Sequence, residues 1–288
     1  GLFKMKIVII SQHIFPMQTP RAHRTTELMI ELAKRGHDVT VYAVLGKYDY
    51  TSFQEETGIK LQSIPVKWQL EPYSSDLEVR RTLLDKVLGK LLNNRYEFPE
   101  IEFKYRMYDI LKRETNIDVL ISIADPHHIH WGVARAKDKL KELFPKKWIA
   151  DCGDPFMMNN HTNDHLLKFE KEERLFCEKV DFITVPVEKA PESYYPEYRK
   201  KFRIIPQGFR FQMPQNQVFS PINSIPTFVF AGTFLKDIRN PIKIFEFLIS
   251  YKGAFKFIIY TKYLELVSPY ISILGDKVEI RNQVSRIE

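Results

Sequence analysis

The sequence predicts an α/β protein built from two doubly wound, parallel-sheet halves, and three observations carry that prediction. The order strand, polar loop, Pro-led helix, strand occurs twice, once between residues 5 and 44 and again between 227 and 260. The runs at 7–10 and 228–231 are continuously apolar rather than alternating, which marks strands covered by helices on both faces. Strand and helix patterns then alternate through the rest of the chain. Two such sheets facing each other leave a crevice, and crevices hold substrates.

Taken in order, the apolar strand 7–10 enters a polar loop, 11–19. Pro20 suits the first position of a helix because its φ is preset and its missing N–H has no partner there. That helix runs out at Arg35-Gly36-His37, and 39–42 resumes as strand. A less regular region leads to a third strand at 59–64, closed by Pro65. Asp76 is a good N-cap for a long helix whose stripe Leu77, Leu84, Val87, Leu88, Leu91 and Leu92 either packs into the core or lies on a membrane or partner. Pro99 opens a helix through Glu114, followed by strand 117–123, the His-rich loop Asp125 to His130, helix 131–143, strand 148–150 and loop 151–156. Helix 165–179, strand 181–185, helix 187–195 and strand 202–206 complete a first domain assigned to residues 1–211. Residues 212–226 hold three prolines with Asn, Gln and Ser and no periodicity, and read as a linker. The second domain, 227–288, brings strand 227–231, loop 232–240, a Pro241-led helix through 248 and strand 255–260.

The chain has 288 residues, enough for about two domains, and its apolar and charged fractions are those of a globular protein. No segment reaches the roughly 20 apolar residues that span a bilayer, and the first residues hold too short an apolar stretch for a secretory signal, so a cytoplasmic location is expected. Cys152 and Cys177 form neither a disulfide framework nor a zinc spacing and read as reduced side chains. The formal charge of +7 fits nucleic acid, an anionic membrane surface or phosphorylated small molecules. Its Lys and Arg are interspersed with acids, as in Lys168 to Arg174, with no arginine-rich tract, so nucleic acid is set aside. Solvated helix faces, peripheral contact with an anionic membrane surface and phosphorylated small molecules remain.

Several stretches carry a family resemblance. Pro20-Arg21-Ala22-His23-Arg24 leads into Glu27-Leu28 and then Leu32-Ala33-Lys34-Arg35-Gly36-His37-Asp38-Val39. Further on stand Trp148-Ile149-Ala150-Asp151 with Asp154-Pro155, Val180-Asp181-Phe182-Ile183-Thr184-Val185-Pro186, Ile204-Ile205-Pro206-Gln207-Gly208, and Phe230-Ala231-Gly232-Thr233 with Asn240-Pro241. In this order they resemble landmarks of GT-B fold glycosyltransferases of the glycosyltransferase 4 type, over nearly the whole chain. The resemblance implies two Rossmann-like domains (GT-B), the first binding an acceptor and the second a nucleotide-sugar donor. It implies transfer of a sugar, of the hexosyltransferase kind, to a glycan or lipid-linked acceptor hydroxyl, with retention of anomeric configuration and no cofactor beyond the donor substrate. A role in polysaccharide biosynthesis is implied with it. The Glu-x7-Glu segment of that family has no match after Tyr260, so the second domain is expected to be incomplete and the chain inactive alone. A nucleotide-sugar epimerase of the same architecture and a non-catalytic glycan-binding protein are the alternatives.

The resemblance and the chemistry together name site residues. Departure of a nucleoside diphosphate creates negative charge, which cations and a helix N-terminus stabilise; Gly232, Lys236 and Arg239 stand where the family carries donor-binding groups. A basic residue commonly follows that glycine, and here it is Thr233. The first loop lacks the family's glycine pair, so His13, Arg21 and Arg24 are read as acceptor-binding through their side chains. Cations oppose the helix dipole at the start of the first helix, a local cost that hints at function. His127 and His128 are read as groups reaching the sugar or acceptor hydroxyl, with His130 a capping or packing residue. No metal is expected, because adjacent histidines on an extended loop tend to point apart. Asp151 is read as a general base, or else, with Asp154, as a turn and cap.

Overall fold

The computed structural model describes residues 3–17, 19–67, 97–158, 167–208, 223–236, 239–261 and 264–282. The helix expected from Asp76 and most of the 212–226 linker lie outside these residues. Chain contacts divide the molecule into two compact units, Gly1–Phe211 and Gln212–Glu288. No helix among the described residues is long and apolar enough to cross a membrane.

The first unit is built on one parallel sheet with strands β1 (Lys6–Ile10), β2 (Asp38–Ala43), β3 (Lys60–Ser63), β4 (Val119–Ile123), β5 (Lys147–Asp151), β6 (Phe182–Val185) and β7 (Phe202–Ile204). Their order across the sheet is β3-β2-β1-β4-β5-β6-β7. β1 is an interior strand, with Val8 opposite Thr40 on one side and Leu120 on the other. The chain therefore runs outward from β1 through β2 to β3 and returns to β4, which creates a switch point at the C-terminal ends of β1 and β4. The continuous apolar run of β1 is explained by burial on both faces. Ile7 and Ile9 join one core with Met29 of α1 (Pro20–Lys34) and Tyr50. Val8 and Ile10 join the other, with Phe103 and Met107 of α3 (Ile101–Arg113), Trp131 and Val133 of α4 (His128–Leu140), and Phe176 of α5 (Leu167–Lys179). α3 and α4 approach closely at Gly132, where an added Cβ would lie 2.5 Å from Met107 Cγ and 2.6 Å from the Lys104 carbonyl oxygen.

Four expectations are corrected. A helix α2 (Thr51–Thr57) occupies the region read as irregular, its N-cap Tyr50 preceded by Asp49, whose Oδ1 accepts from the Thr51 N–H at 2.9 Å. α4 begins at His128 rather than near Trp131, so His128 and His130 are helical, and it gives way at Lys141 to a 3-10 turn, Lys141–Leu143. The helix expected at 187–195 is instead two 3-10 segments, Ala190–Ser193 and Pro196–Lys201. Prolines at 186, 191 and 196 remove amide donors every fifth residue, too often for an α-helix to propagate.

The second unit holds a parallel sheet of order β10-β9-β8, made from β8 (Thr227–Ala231), β9 (Lys256–Tyr260) and β10 (Val278–Arg281), with α6 (Ile242–Ser250) and α7 (Ser268–Leu274). The sequence reading placed no element after Tyr260; α7 and β10 are additions. The core of the unit gathers around Phe245, Phe257 and Ile259. β8 lies outermost, and Phe228 and Val229 are exposed, which is the fourth correction: its apolar run is not covered on both faces among the described residues.

Candidate functional site

The C-terminal edge of the seven-stranded sheet gathers most of the residues singled out from the sequence. Thr19 caps α1 by accepting the Ala22 N–H at 3.2 Å, and Arg21 and Arg24 project from its first turns three residues apart, on one face. Both reach Asp151, the last residue of β5. Arg24 donates through Nε to Oδ2 at 2.7 Å and through Nη2 to Oδ1 at 2.8 Å, a bidentate pair, and Arg21 Nη1 donates to Oδ2 at 3.2 Å. Thr184 of β6 adds its hydroxyl to Oδ1 at 2.6 Å. Arg24 Nη2 also donates to the Ile205 carbonyl at 3.2 Å, just past β7. One buried carboxylate thus ties together α1, β5, β6 and the segment after β7. Gly153 belongs to the same arrangement, because a Cβ there would sit 1.4 Å from Arg21 Nη2.

The histidines stand across the next strand. His127 is the capping residue of α4; its Nε2–H donates to the Asp154 carbonyl at 2.9 Å, while its Nδ1 is buried with no hydrogen-bond partner. His128 meets the Trp131 ring edge-on at 4.4 Å. His130, fully buried, stacks on Phe176 at 4.7 Å. Its Nδ1 lies 2.8 Å from Ser122 Oγ, which also accepts the Trp148 indole N–H at 2.7 Å. Its Nε2 lies 3.4 Å from Cys152 Sγ. Burial holds the His130 ring well below the usual histidine range, with His127 and Arg21 adding to that depression. Burial likewise pushes the Cys152 thiol far up. Because α4 starts at His128, the argument that these histidines point apart on an extended loop does not hold: donor atoms of His127, His130 and Cys152 all lie within 4.8 Å of one another.

His13 sits half-buried in the loop after β1, where burial lowers its proton affinity and its carbonyl accepts the Ser11 hydroxyl at 3.2 Å. In the second unit, Gly232 donates its N–H to the Tyr260 carbonyl at 3.0 Å. The loop that follows is closed by a backbone pair between Leu235 and Arg239, leaving Lys236 and Arg239 exposed. Asn240 Oδ1 accepts the Ile242 N–H at 3.0 Å, a turn that leads into α6. The structure therefore brings Arg21, Arg24 and Asp151 into contact, sets His127 beside His130 and Cys152, and places Gly232, Lys236 and Arg239 along one loop. Sequence reasoning missed Ser122 and Thr184. Each is a hydroxyl inside an otherwise apolar buried strand, a setting in which a polar group requires a partner.

No family model and no curated protein matches the sequence. Solved structures are similar in fold. The glycosyltransferase from Rickettsia africae ESF-5 aligns with a TM-score of 0.60 at 12% identity, over 99% of this chain and 69% of its own. The lipopolysaccharide outer core galactosyltransferase WaaB, in its apo form, aligns at 0.57 and 12% identity, over 98% and 69%. Arabidopsis thaliana UGT89C1, complexed with UDP-L-rhamnose, aligns at 0.56 and 12% identity, over 99% and 71%. The chain has the GT-B fold. At this identity the likeness speaks for architecture alone; the Asp151 network and the histidines stand at the C-terminal ends of β4 and β5, the edge where open α/β sheets in general bind ligands.

Proposed function

We propose that the protein is a glycosyltransferase of the retaining, hexosyl-transferring kind, moving a sugar from a nucleotide-sugar donor to a hydroxyl of a glycan or lipid-linked acceptor in polysaccharide biosynthesis. The observation that supports this reading is the likeness, over 99% of the chain, to glycosyltransferase structures, one of which holds a nucleotide sugar. In the reaction the bond between the anomeric carbon and the diphosphate oxygen breaks, the diphosphate keeps the electron pair, and the acceptor oxygen bonds to that carbon and gives up its proton. Residues 227–288 bind the donor: Lys236 and Arg239 face the developing diphosphate charge, with Gly232 allowing close backbone approach. Residues 1–211 bind the acceptor through His13, Arg21 and Arg24. His127 and His128 contact the transferred sugar or the acceptor hydroxyl, and Asp151 takes part through the arginines it holds. The protein works on the cytoplasmic side, in peripheral contact with the membrane when the acceptor is lipid-linked.

The test is a screen of the full chain against UDP-, GDP- and other nucleotide sugars, read as thermal stabilisation and as donor hydrolysis. A donor at 100 times its Kd should add about 2.7 kcal/mol of stability. Neither stabilisation nor hydrolysis with any nucleotide sugar would remove this reading.

A further inference from the structure

We propose that His127, His130 and Cys152 form a zinc-class metal site beneath the loops after β4 and β5, an assignment that does not rest on the glycosyl-transfer reading but reassigns His127 within it. The three side chains are buried and supply two imidazole nitrogens and one sulfur, the donor set zinc favours. With Zn–N near 2.1 Å and Zn–S near 2.3 Å, tetrahedral geometry sets N···S at about 3.6 Å; His130 Nε2 and Cys152 Sγ already stand 3.4 Å apart. All donor spacings lie within 4.8 Å, so a shift of about 1 Å closes them to tetrahedral values.

Each ligand atom is chosen by what the other atoms of its residue do. The Asp154 carbonyl can only accept, so His127 carries its proton on Nε2, and the lone pair on Nδ1 is the one left buried without a partner. His130 Nδ1 lies at Ser122 Oγ and Nε2 at Cys152 Sγ. In the metal-bound form Nδ1–H donates to Ser122, the outer-sphere contact that orients a ligating imidazole, and the Nε2 lone pair holds the ion in place of the ring's bond to the Asp151 backbone. Cys152 binds as thiolate, so binding releases one proton from Sγ to solvent while both histidines stay neutral. The bound ion joins the turn after β4 to the end of β5, one residue from Asp151. His127 then serves as a ligand, and contact with the sugar falls to His128.

The test uses the full chain, stripped with a chelator and titrated with Co2+ in place of Zn2+. The expected result is one Co2+ per chain with a thiolate-to-cobalt charge-transfer band, displaced by Zn2+. Cys152→Ser should abolish the band and Cys177→Ser should keep it. His127→Gln and Ser122→Ala should weaken Co2+ binding, the latter by about 10-fold to 100-fold. Absence of the band in the native chain, or its survival in Cys152→Ser, overturns the site. Should Cys152→Ser fail to fold by circular dichroism, His127→Gln decides, and unchanged Co2+ affinity overturns the site. Nucleotide-sugar stabilisation is measured on the chelated chain, so either reading can fail without the other.

Discussion

Replacing Asp151 by Asn tests whether the sheet edge is held together by one carboxylate. The side chain is 5% exposed and accepts four hydrogen bonds, two from Arg24, one from Arg21 and one from Thr184. An asparagine keeps the size but offers one acceptor oxygen, turns an NH2 group toward a guanidinium and leaves two cations without a counter-charge. Removing one partner of a buried pair costs about 3–5 kcal/mol. The side chains of Arg24 and Arg21 are 12% and 26% exposed and recover some water, which argues for the lower end, about 3 kcal/mol. The first unit spans Gly1–Phe211, and at about 2–4 °C per kcal/mol for such a size its midpoint should fall by roughly 6–12 °C. All 3 tryptophans lie in that unit, so their fluorescence during urea or thermal unfolding reports on it alone. Asp154→Asn serves as the control: among the described residues Asp154 is used through its carbonyl, by His127 and Tyr194, and the change should stay within about 0.5 kcal/mol. A loss below about 1 kcal/mol for Asp151→Asn, the size of an exposed ion pair, would refute the reasoning.

Gly132→Ala should destabilise the first unit by about 1–3 kcal/mol, because the new methyl meets the Lys104 backbone as well as the movable Met107; a neutral change in urea unfolding would mean α3 and α4 are less closely packed. His130 is depressed when folded, so the unfolded chain binds the extra proton first. The stability of the metal-free chain should be full above about pH 6.5 and fall below it by up to about 1.4 kcal/mol per pH unit from this residue. Chemical denaturation of the chelated chain between pH 7 and 5 checks this, and the same slope in His130→Asn would assign the effect elsewhere. Arg239→Ala should raise the Kd for a nucleotide sugar about ten-fold, the loss of one charged contact worth about 1.4 kcal/mol, with little change in stability; an unchanged Kd in calorimetry would take Arg239 out of the donor site.

The parallel sheet of the first unit was legible because its cause is local to each strand. A strand covered on both faces must be apolar at every position, and β1, β4 and β6 are nearly so. α2 was not legible, because seven residues with no buried side chain carry no periodic stripe. The same applies to the 3-10 segments, whose prolines forbid one structure without announcing another. At the sheet edge the contact among the singled-out residues was not legible. Arg21 and Arg24 were read as acceptor-binding and Asp151 as a base, 130 and 127 residues away, and no spacing reports that they touch. One signal did point there: α1 has no acidic residue in its first turn and carries two arginines near it, an arrangement its dipole disfavours. The carboxylate that offsets those cations arrives from β5, so the anomaly in the helix was the trace of a tertiary contact. Such a violation of local preference identifies the positions where a long-range partner should be sought, and here it leads to the residue on which four chain segments converge.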